Sequence, residues 1–523
     1  MAEKEHHKLV EYANGPSLEE INGTVEVPKG KGFWRTLLAY SGPGALVAVG
    51  YMDPGNWSTS ITGGQNFGYL LMSIILISSL IAMLLQNMAS KLGIVTQMDL
   101  AQAIRAHTSK KLGIVLWIMT ELAIMATDIA EVIGAAIALY LLFGIPIIIA
   151  VFLTVLDVLV LLLLTKIGFR KIEAIVVALI LVILLVFVYQ VALSDPDWGA
   201  VIKGFIPSAG TIATHPTING MTPLSGALGI IGATVMPHNL YLHSAISQTR
   251  KINHKDEDEV ATAVRFSQWD SNIQLTAAFV VNALLLIMGV AVFKSGSVKD
   301  PSFFGLYAAL SDTSTLSNGV LISVARSGIL STLFAVALLA SGQNSTITGT
   351  LTGQVIMEGF VNLRMPLWAR RLITRLLSVI PVIICVLMTG RLNTVDQHEA
   401  LNTLMNNSQV FLAFALPFSM LPLLVLTNSR NEMGQRFKNS GWVKVCGWIS
   451  VLGLTFLNML NLPDSFAAFL GANASASEIR GAHIAAYVAI VLILALLAWC
   501  MVDLYRFDKL LAQKKADQAN DEK

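Results

Sequence analysis

The tetrapeptide Asp53-Pro54-Gly55-Asn56 joins a carboxylate and a carboxamide to the two residues least able to continue a helix, inside an otherwise apolar run. Proline lacks a backbone donor and clashes with the carbonyl four residues back, while glycine permits the backbone angles of an unwound turn. Such a break frees carbonyl oxygens. Asp53 and the Asn56 side chain flank them, so hard oxygen donors gather around one negative charge with no cation nearby in sequence. That constellation needs a positive partner. Capping of the following half-helix by Asp53 is the alternative, but an ionisable residue inside a membrane span is a functional hypothesis by default.

A second interruption, "ATVMPHNLYLH", places Pro237 in mid-span, with Met236 before it and His238 and Asn239 after it. Unwound backbone near Ala233 adds a carbonyl oxygen, and Met236 adds a thioether. Oxygen-only cages suit Mg²⁺ and Ca²⁺, whereas a sulfur ligand favours later transition metals. A methionine in a helix is usually a core filler. Its place immediately before the break argues here for a ligand.

The elements that must position these groups follow from composition. Hydrophobic residues make up 54% of the 523 and charged residues 13%, with a mean hydropathy of +0.66, against about 25% charge in ordinary soluble domains. This describes an all-α polytopic membrane protein, with the lipid bilayer as its surroundings and no nucleic-acid partner. Cys385, Cys446 and Cys500 have no paired spacing, which argues against a disulfide framework or a zinc cluster. No short basic segment feeds a cleavable apolar core at the start of the chain.

Apolar runs of about 20 residues fall near 37–63, 68–90, 113–142, 146–165, 171–194, 224–246, 270–294, 324–357, 371–390, 404–427, 444–462 and 481–503, twelve spans in all. Lys and Arg concentrate in every second connection, among them "KIGFRK", "NLRMPLWARR" and "NSRNEMGQRFKNSGWVK". The positive-inside rule therefore puts both ends on the cytoplasmic side. The expected organisation is a cytosolic tail at 1–36, five spans over 37–194, an extracellular loop at 195–223, five spans over 224–427, two more over 428–503, and a cytosolic tail at 504–523. Spans eleven and twelve lack intramembrane charge and read as peripheral, giving a monomer or a weak dimer.

The breaks fall in spans one and six. These are corresponding positions if spans one to five and six to ten are repeats of opposite orientation, and matched broken helices mark the central site of secondary transporters built that way. No residue-level repeat joins the halves; helix count and break position carry the inference.

Titratable groups lie within reach of the breaks. His238 and His243 follow Met236, and histidine has the ordinary pKa nearest cytosolic pH; hydrogen-bonded packing is the alternative for each. Asp128 and Glu131 share a helical face in span three, and two like charges in hydrocarbon need a cation or a shared proton. The run "ARRLITR" supplies Arg370, Arg371 and Arg375, but it also serves as a positive flank, which leaves open the one that reaches inward. Asp157 and Glu121 are relay candidates that serve equally well as hydrogen-bond partners of a neighbouring helix, and they stay outside the site. The run "HKDEDE" reads as a solvated loop.

"DPGN" in the first span and "ATVMPHNLYLHS" in the sixth resemble the two signature motifs of the Nramp family of divalent metal transporters, and "SGQNSTITGTLTGQ" at 341–354 is similar to its transport signature. The resemblance covers nearly the whole chain. It implies a LeuT-like fold of two inverted five-helix repeats, with helices 1 and 6 broken at Pro54, Gly55 and Pro237 and two extra helices at the C-terminus. It also implies proton-coupled import of Mn²⁺ or Fe²⁺, with Cd²⁺ and Co²⁺ accepted, across the plasma membrane, and no resident cofactor. Carried over by motif, the metal ligands are Asp53, Asn56, Met236 and the Ala233 carbonyl, with Gln409 joining in an occluded state. The proton pathway is an acid and arginine network of Asp128, Glu131, Arg370 and Arg371 together with His238 and His243. Magnesium transporters related to this family lack the methionine, which puts the chain with the transition-metal branch.

Other classes compete. A Na⁺-coupled carrier of organic substrates would want free amides at the broken helix to receive a carboxylate, and an anionic Asp53 would repel it. An intramembrane metalloenzyme using His238 and His243 has no glutamate base and the wrong spacing for "HExxH". A channel does not call for two broken helices in matched positions. The chain reads as a transporter and not an enzyme.

Overall fold

Proline and aspartate divide the first apolar span. In the computed structural model, which describes residues 11–12, 15, 17–27, 32–157, 169–194, 196–293, 300, 302–311, 328–389, 394–468 and 475–521, it forms α1 (Phe33–Tyr40), α2 (Pro43–Gly50) and α3 (Pro54–Phe67). Pro43 and Pro54 stand at the first helical position, where a missing N–H costs nothing. Asp53 is the N-cap of α3, accepting from the Asn56 backbone N–H at 2.8 Å. Capping and a role at the break are thus not exclusive readings of this residue.

Two helices and a crossing follow, α4 (Met72–Thr96), the short α5 (Leu100–Ala106) and α6 (Lys110–Phe143), then α7 (Ile147–Leu153), α8 (Phe169–Leu193) and α9 (Trp198–Gly204). The sixth span divides at Met236 into α10 (Pro223–Val235) and α11 (Pro237–Ile246). Met236 itself, at φ 9° and ψ 111°, belongs to neither helix. Beyond it run α12 (Glu257–Phe293), α13 (Phe303–Ser311), α14 (Ile329–Val361), α15 (Leu367–Thr389), α16 (Thr394–Ala415), α17 (Pro417–Asn428), α18 (Arg430–Phe437), α19 (Gly441–Ala468) and α20 (Ala476–Asp521).

Among the described residues, 8 helices are long and apolar enough to cross a membrane. The expected spans outside that set are one, four, six and eight. Spans one and six are broken into short halves, and span four passes into 158–168, outside the described residues. Span eight is helical from Ile329 onward as α14 but carries Ser341, Asn344, Ser345, Thr346, Thr348, Thr350 and Thr352 in buried positions. A span so polar must face protein rather than lipid. It packs along α6, while α12 packs against α2, α3 and α4 and α16 lies against α10 and α6. In α20 only 11% of the most apolar window is buried, so its surface is left for lipid.

One expectation is corrected here. Glu257, Asp258 and Glu259 of the "HKDEDE" run form the first turn of α12, where acidic side chains complement the positive end of the helix dipole.

The polar segment before α1 is partly docked. Ser17 donates to Asp99 at 2.6 Å, the Leu18 N–H donates to Glu358 at 2.9 Å, and the Leu18 side chain is buried. Further along, the Gly23 and Val25 N–H groups donate to the carbonyls of Gln248 and Thr249. Burial pushes the Asp99 carboxyl up to about 6, against the hydrogen bonds from Ser17, Gln102 and Ala101 that favour its charged form. At the other end of the chain Asp503 accepts from the Ser109 N–H and hydroxyl, at 2.9 and 2.6 Å. Both described ends therefore meet the face that carries the basic connections.

Candidate functional site

At the first break each freed carbonyl has found a side-chain donor, as buried backbone requires. Asn56 Nδ2 donates to Gly50 O at 3.0 Å, Asn282 Nδ2 to Tyr51 O at 2.9 Å, and Trp57 Nε1 and Ser341 Oγ to Met52 O at 2.9 and 2.5 Å. The unwound turn is thereby pinned from α3, α12 and α14 at once.

The two breaks touch. Asn56 Nδ2 also reaches Ala233 O at 2.8 Å and Asp53 Oδ1 at 2.9 Å. One amino group, with two hydrogens, is thus aimed at three oxygens: a main-chain carbonyl from each broken span and a carboxylate. The second carboxylate oxygen, Asp53 Oδ2, is buried with no hydrogen-bond partner among the described residues, and Asp53 is 0% exposed. Met236 is buried at the end of α10, and its sulfur accepts from Asn239 Nδ2 at 3.7 Å. Asn239 in turn lies against Gly50, where a methyl group would stand 2.0 Å from Nδ2. Gln409 of α16 closes the group from the side of Gly55, where a methyl group would stand 2.3 Å from its Nε2. Its Oε1 is buried and unpartnered.

The structure therefore brings Asp53, Asn56, Ala233, Met236 and Gln409 to one place, with Pro54, Gly55 and Pro237 shaping the breaks. Among the described residues no three His, Cys, Asp or Glu side chains converge on a metal position. The donor set here is one carboxylate, two carboxamides, a main-chain carbonyl and a thioether. Such a set holds a divalent ion with few full charges.

A second polar cluster lies between α6, α14, α15 and Asp157, which follows the short turn Thr154–Leu156 after α7. Arg371 donates to Asp128 Oδ1 at 2.6 Å, to Glu131 Oε2 at 2.9 Å and to Asp157 Oδ2 at 3.3 Å. Arg375 pairs with Glu131 at 3.3 Å, and its Nε donates to Asp157 Oδ2 at 2.9 Å. Thr346 Oγ1 accepts from both guanidinium groups, at 3.0 and 2.9 Å, and donates to Asp157 Oδ2 at 3.1 Å. All five charged groups are buried. Three carboxylates face two guanidiniums, which leaves one negative charge in excess when every acid is ionised. Among the described residues Asp128 Oδ2 and Asp157 Oδ1 have no hydrogen-bond partner.

Arg370 is not part of that cluster. It pairs with Glu121 through both carboxylate oxygens at 2.8 Å. The sequence held the signal: Arg371 and Arg375 are four residues apart and share a helical face, whereas Arg370 is turned about 100° from Arg371. Asp157, set aside in the sequence analysis, lies at the centre of the network. Its isolation in "TVLDVLVLL" was the available sign, since an unpaired carboxylate in hydrocarbon must find a partner.

His238 is buried with Nδ1 unpartnered, on α11 where that helix packs against α6. His243 instead joins Gln86, its Nδ1 3.0 Å from Oε1, and Gln86 Nε2 donates to the Tyr51 hydroxyl at 2.8 Å. It thus tethers α11 to α4 and to the first break. Asn344, in the stretch quoted only for its resemblance, has both carboxamide atoms buried and unpartnered one turn beyond Ser341.

Known proteins resemble this chain over most of its length. The profile of the family described as "Nramp: Natural resistance-associated macrophage protein-like" matches residues 44–464. A protein of Levilactobacillus brevis named divalent metal cation transporter MntH is 56% identical over 455 residues, 87% of this chain and 95% of its own length. One of the same name from Latilactobacillus sakei is 57% identical over 459 residues, 87% of this chain and 96% of its own length. The crystal structure of the Eremococcus coleocola manganese transporter, in complex with an aromatic bis-isothiourea substituted compound, matches with a TM-score of 0.89 at 68% identity, covering 94% of this chain and 100% of that one. The nucleobase–cation symporter Mhp1 in a closed conformation matches at a TM-score of 0.50 and 15% identity, covering 96% of this chain and 100% of that one, a likeness of fold alone.

Proposed function

The chain belongs to the Nramp family, and from that premise we propose that it imports divalent transition-metal ions, Mn²⁺ and Fe²⁺ with Cd²⁺ and Co²⁺ also accepted, together with protons and by alternating access. It is a multi-pass membrane transporter of LeuT-like fold and not an enzyme. The membrane is the plasma membrane, with both ends cytoplasmic as the basic loops require, and the protein works as a monomer or a weak dimer.

The observation that carries this reading is the Asn56 amino group set among Gly50 O, Ala233 O and Asp53 Oδ1 beside the unpartnered Asp53 Oδ2. Oxygen acceptors from both broken helices converge on one donor, the arrangement that a cation would otherwise satisfy. A metal ion entering there takes the place of the amide hydrogens. When Asn56 turns its carboxamide over, Oδ1 replaces Nδ2 and joins Asp53 and the Ala233 carbonyl as a hard ligand, while Met236 supplies the soft one. Gln409 Oε1, free of any other bond, completes the set as α16 moves in. Because every ligand lies on or beside a broken helix or on α16, rigid-body motion of these helices against the rest exposes the ion to alternate faces.

Protons take the second cluster. Its single excess negative charge provides room for one proton among Asp128, Glu131 and Asp157, and His238, two residues beyond Met236 on the helix that packs against α6, is the group that passes a proton between metal and cluster in this reading. Binding of a dication at Asp53 raises the local potential and favours release of a proton from the neighbouring groups.

Mn²⁺ uptake into proteoliposomes tests the whole assignment. Uptake should accelerate with an inward-directed proton gradient, and metal entry should acidify the lumen. Uptake that is indifferent to the gradient, with no acidification, removes the proton coupling; absence of saturable uptake removes the transporter reading.

A further inference from the structure

We infer that the basic face carries a binding site for a phosphate-bearing anion, in the open cleft lined by the docked N-terminal segment, the connection around α5 and the loop after α11. The cavity measures about 640 Å³, within the range of about 300–1,000 Å³ typical of small-molecule sites. That volume holds an organic phosphate of nucleotide size and not merely the ion.

Its walls have the chemistry of an anion site. Four of the lining side chains are basic by type, Arg105, Arg250, Lys251 and His254, and Gln97, Gln102 and Gln248 add carboxamides, while no lining residue is acidic. Arg250 is already committed, bound to Glu173 at 2.7 Å and buried. Arg105 is half free: Nη1 donates to the Glu358 carbonyl and to Asn362, and among the described residues Nη2 and Nε have no hydrogen-bond partner. Among the described residues the Lys251 ammonium pairs with the solvent-exposed Glu26 at 3.1 Å, a pair that screening makes weak. Burial holds His254 below the ordinary imidazole range, so near neutral pH it donates as a neutral ring. A guanidinium fork, an ammonium and several N–H donors around one cavity match the oxygens of a phosphate group. The neighbouring carboxylates are occupied, Asp99 by Ser17 and Gln102, Glu358 by Leu18 and Arg364, and Glu19, beside Gly15, by Arg364 at 3.6 Å.

Binding is linked to the docked segment. Gly15 and Gly23 line one wall, and the Gly23 and Val25 N–H groups are bonded to the loop that carries Arg250 and Lys251. An anion seated on Arg105 and Lys251 therefore bridges that loop, α5 and the segment above them, and holds the segment down.

Two phosphate sources offer this chemistry, a soluble nucleotide and an anionic lipid headgroup. Radiolabelled ATP is measured on the full-length protein in metal-free detergent solution by equilibrium dialysis. Hydrogen exchange is followed at Leu18, Gly23 and Val25, with and without ATP, and in nanodiscs of phosphatidylcholine with and without phosphatidylglycerol. Saturable ATP binding that slows these amides, and falls tenfold or more in both Arg105→Gln and Lys251→Gln, supports the site with a soluble ligand. Slowing by phosphatidylglycerol alone, abolished by the same substitutions, supports it with a lipid headgroup. Lys251→Gln alters an exposed residue and leaves the fold intact, so it isolates the charge from the packing of Arg105. Absence of effect from either probe, or effects that both substitutions leave unchanged, overturns the proposal.

Discussion

The two buried polar clusters are built on opposite plans. Around Asp53 the protein gathers acceptors and supplies no cation, so a carboxylate oxygen stays unpartnered at the meeting of two broken helices. Around Asp128, Glu131 and Asp157 it supplies two guanidiniums and nearly closes the account of charge from within. A buried ion lacking its partner costs several kcal/mol, and a paired one is destabilised chiefly by losing the partner. The first cluster is therefore strained toward an external dication. The second is at rest and has capacity for about one proton.

The sharpest way to break that contrast is to neutralise Asp53. Asp53→Asn should abolish Mn²⁺ binding in calorimetry while leaving the metal-free protein as stable as before or more so, because it removes an uncompensated buried charge. Retained Mn²⁺ affinity removes Asp53 from the site. A large loss of thermal stability without metal would mean that the carboxylate is a structural cap and the two plans are not opposite.

Arg371→Met applies the reverse operation to the other cluster. It leaves Asp128, Glu131 and Asp157 against Arg375 alone, and breaking a buried pair in this way typically costs about 3–5 kcal/mol. A marked fall in the thermal midpoint in detergent is expected, with Arg370→Met costing much less because Glu121, its partner, is more exposed. Equal losses for the two arginines would mean that burial of the network does not set its energy.

Glu131→Gln is a gentler change in the same place. The amide keeps an acceptor for Arg371 and Arg375 but cannot release a proton, so Mn²⁺ should still bind while the acidification that accompanies uptake falls. Normal proton entry makes Glu131 a packing element and moves the proton to Asp128 or Asp157.

The difference between the clusters also explains what could be read from the chain in advance. The first cluster was legible because its parts are local: Asp-Pro-Gly-Asn and Met-Pro each announce a break, and a break in hydrocarbon needs a reason. The network was half legible. Asp128 and Glu131 announce themselves by spacing, but their partners come from α15 and from Asp157, more than twenty residues away along the chain, and adjacent arginines look alike until a helical face is assigned. Asn344 was not legible, since one carboxamide among Ser and Thr resembles the helix-to-helix hydrogen bonding common in membrane spans. Nor was the docking of Ser17 and Leu18, which depends on the buried carboxylates of Asp99 and Glu358 lying ready on other helices.

The smallest expected effect concerns the one soft atom in the first cluster. Met236 adds little to Mn²⁺ affinity, since a thioether is a weak ligand beside a carboxylate, but selectivity is a difference of affinities. Where Ca²⁺ and Mg²⁺ outnumber a transition metal about a thousandfold, rejecting them requires about 4 kcal/mol at 1.4 kcal/mol per factor of ten. Asp53, Asn56, Gln409 and the Ala233 carbonyl are all hard oxygens, which suit the alkaline-earth ions equally well. The sulfur, held at the end of α10 by Asn239, is the one soft donor in the proposed set, and it favours Mn²⁺ and, still more, Cd²⁺ over the alkaline-earth ions. Met236→Ala should therefore keep Mn²⁺ and Cd²⁺ uptake with reduced affinity, Cd²⁺ losing more, and should become open to inhibition by millimolar Ca²⁺ or Mg²⁺. A variant that still ignores those ions would place selectivity in the size of the cage or the cost of dehydration, and the contrast between the clusters would then rest on charge alone.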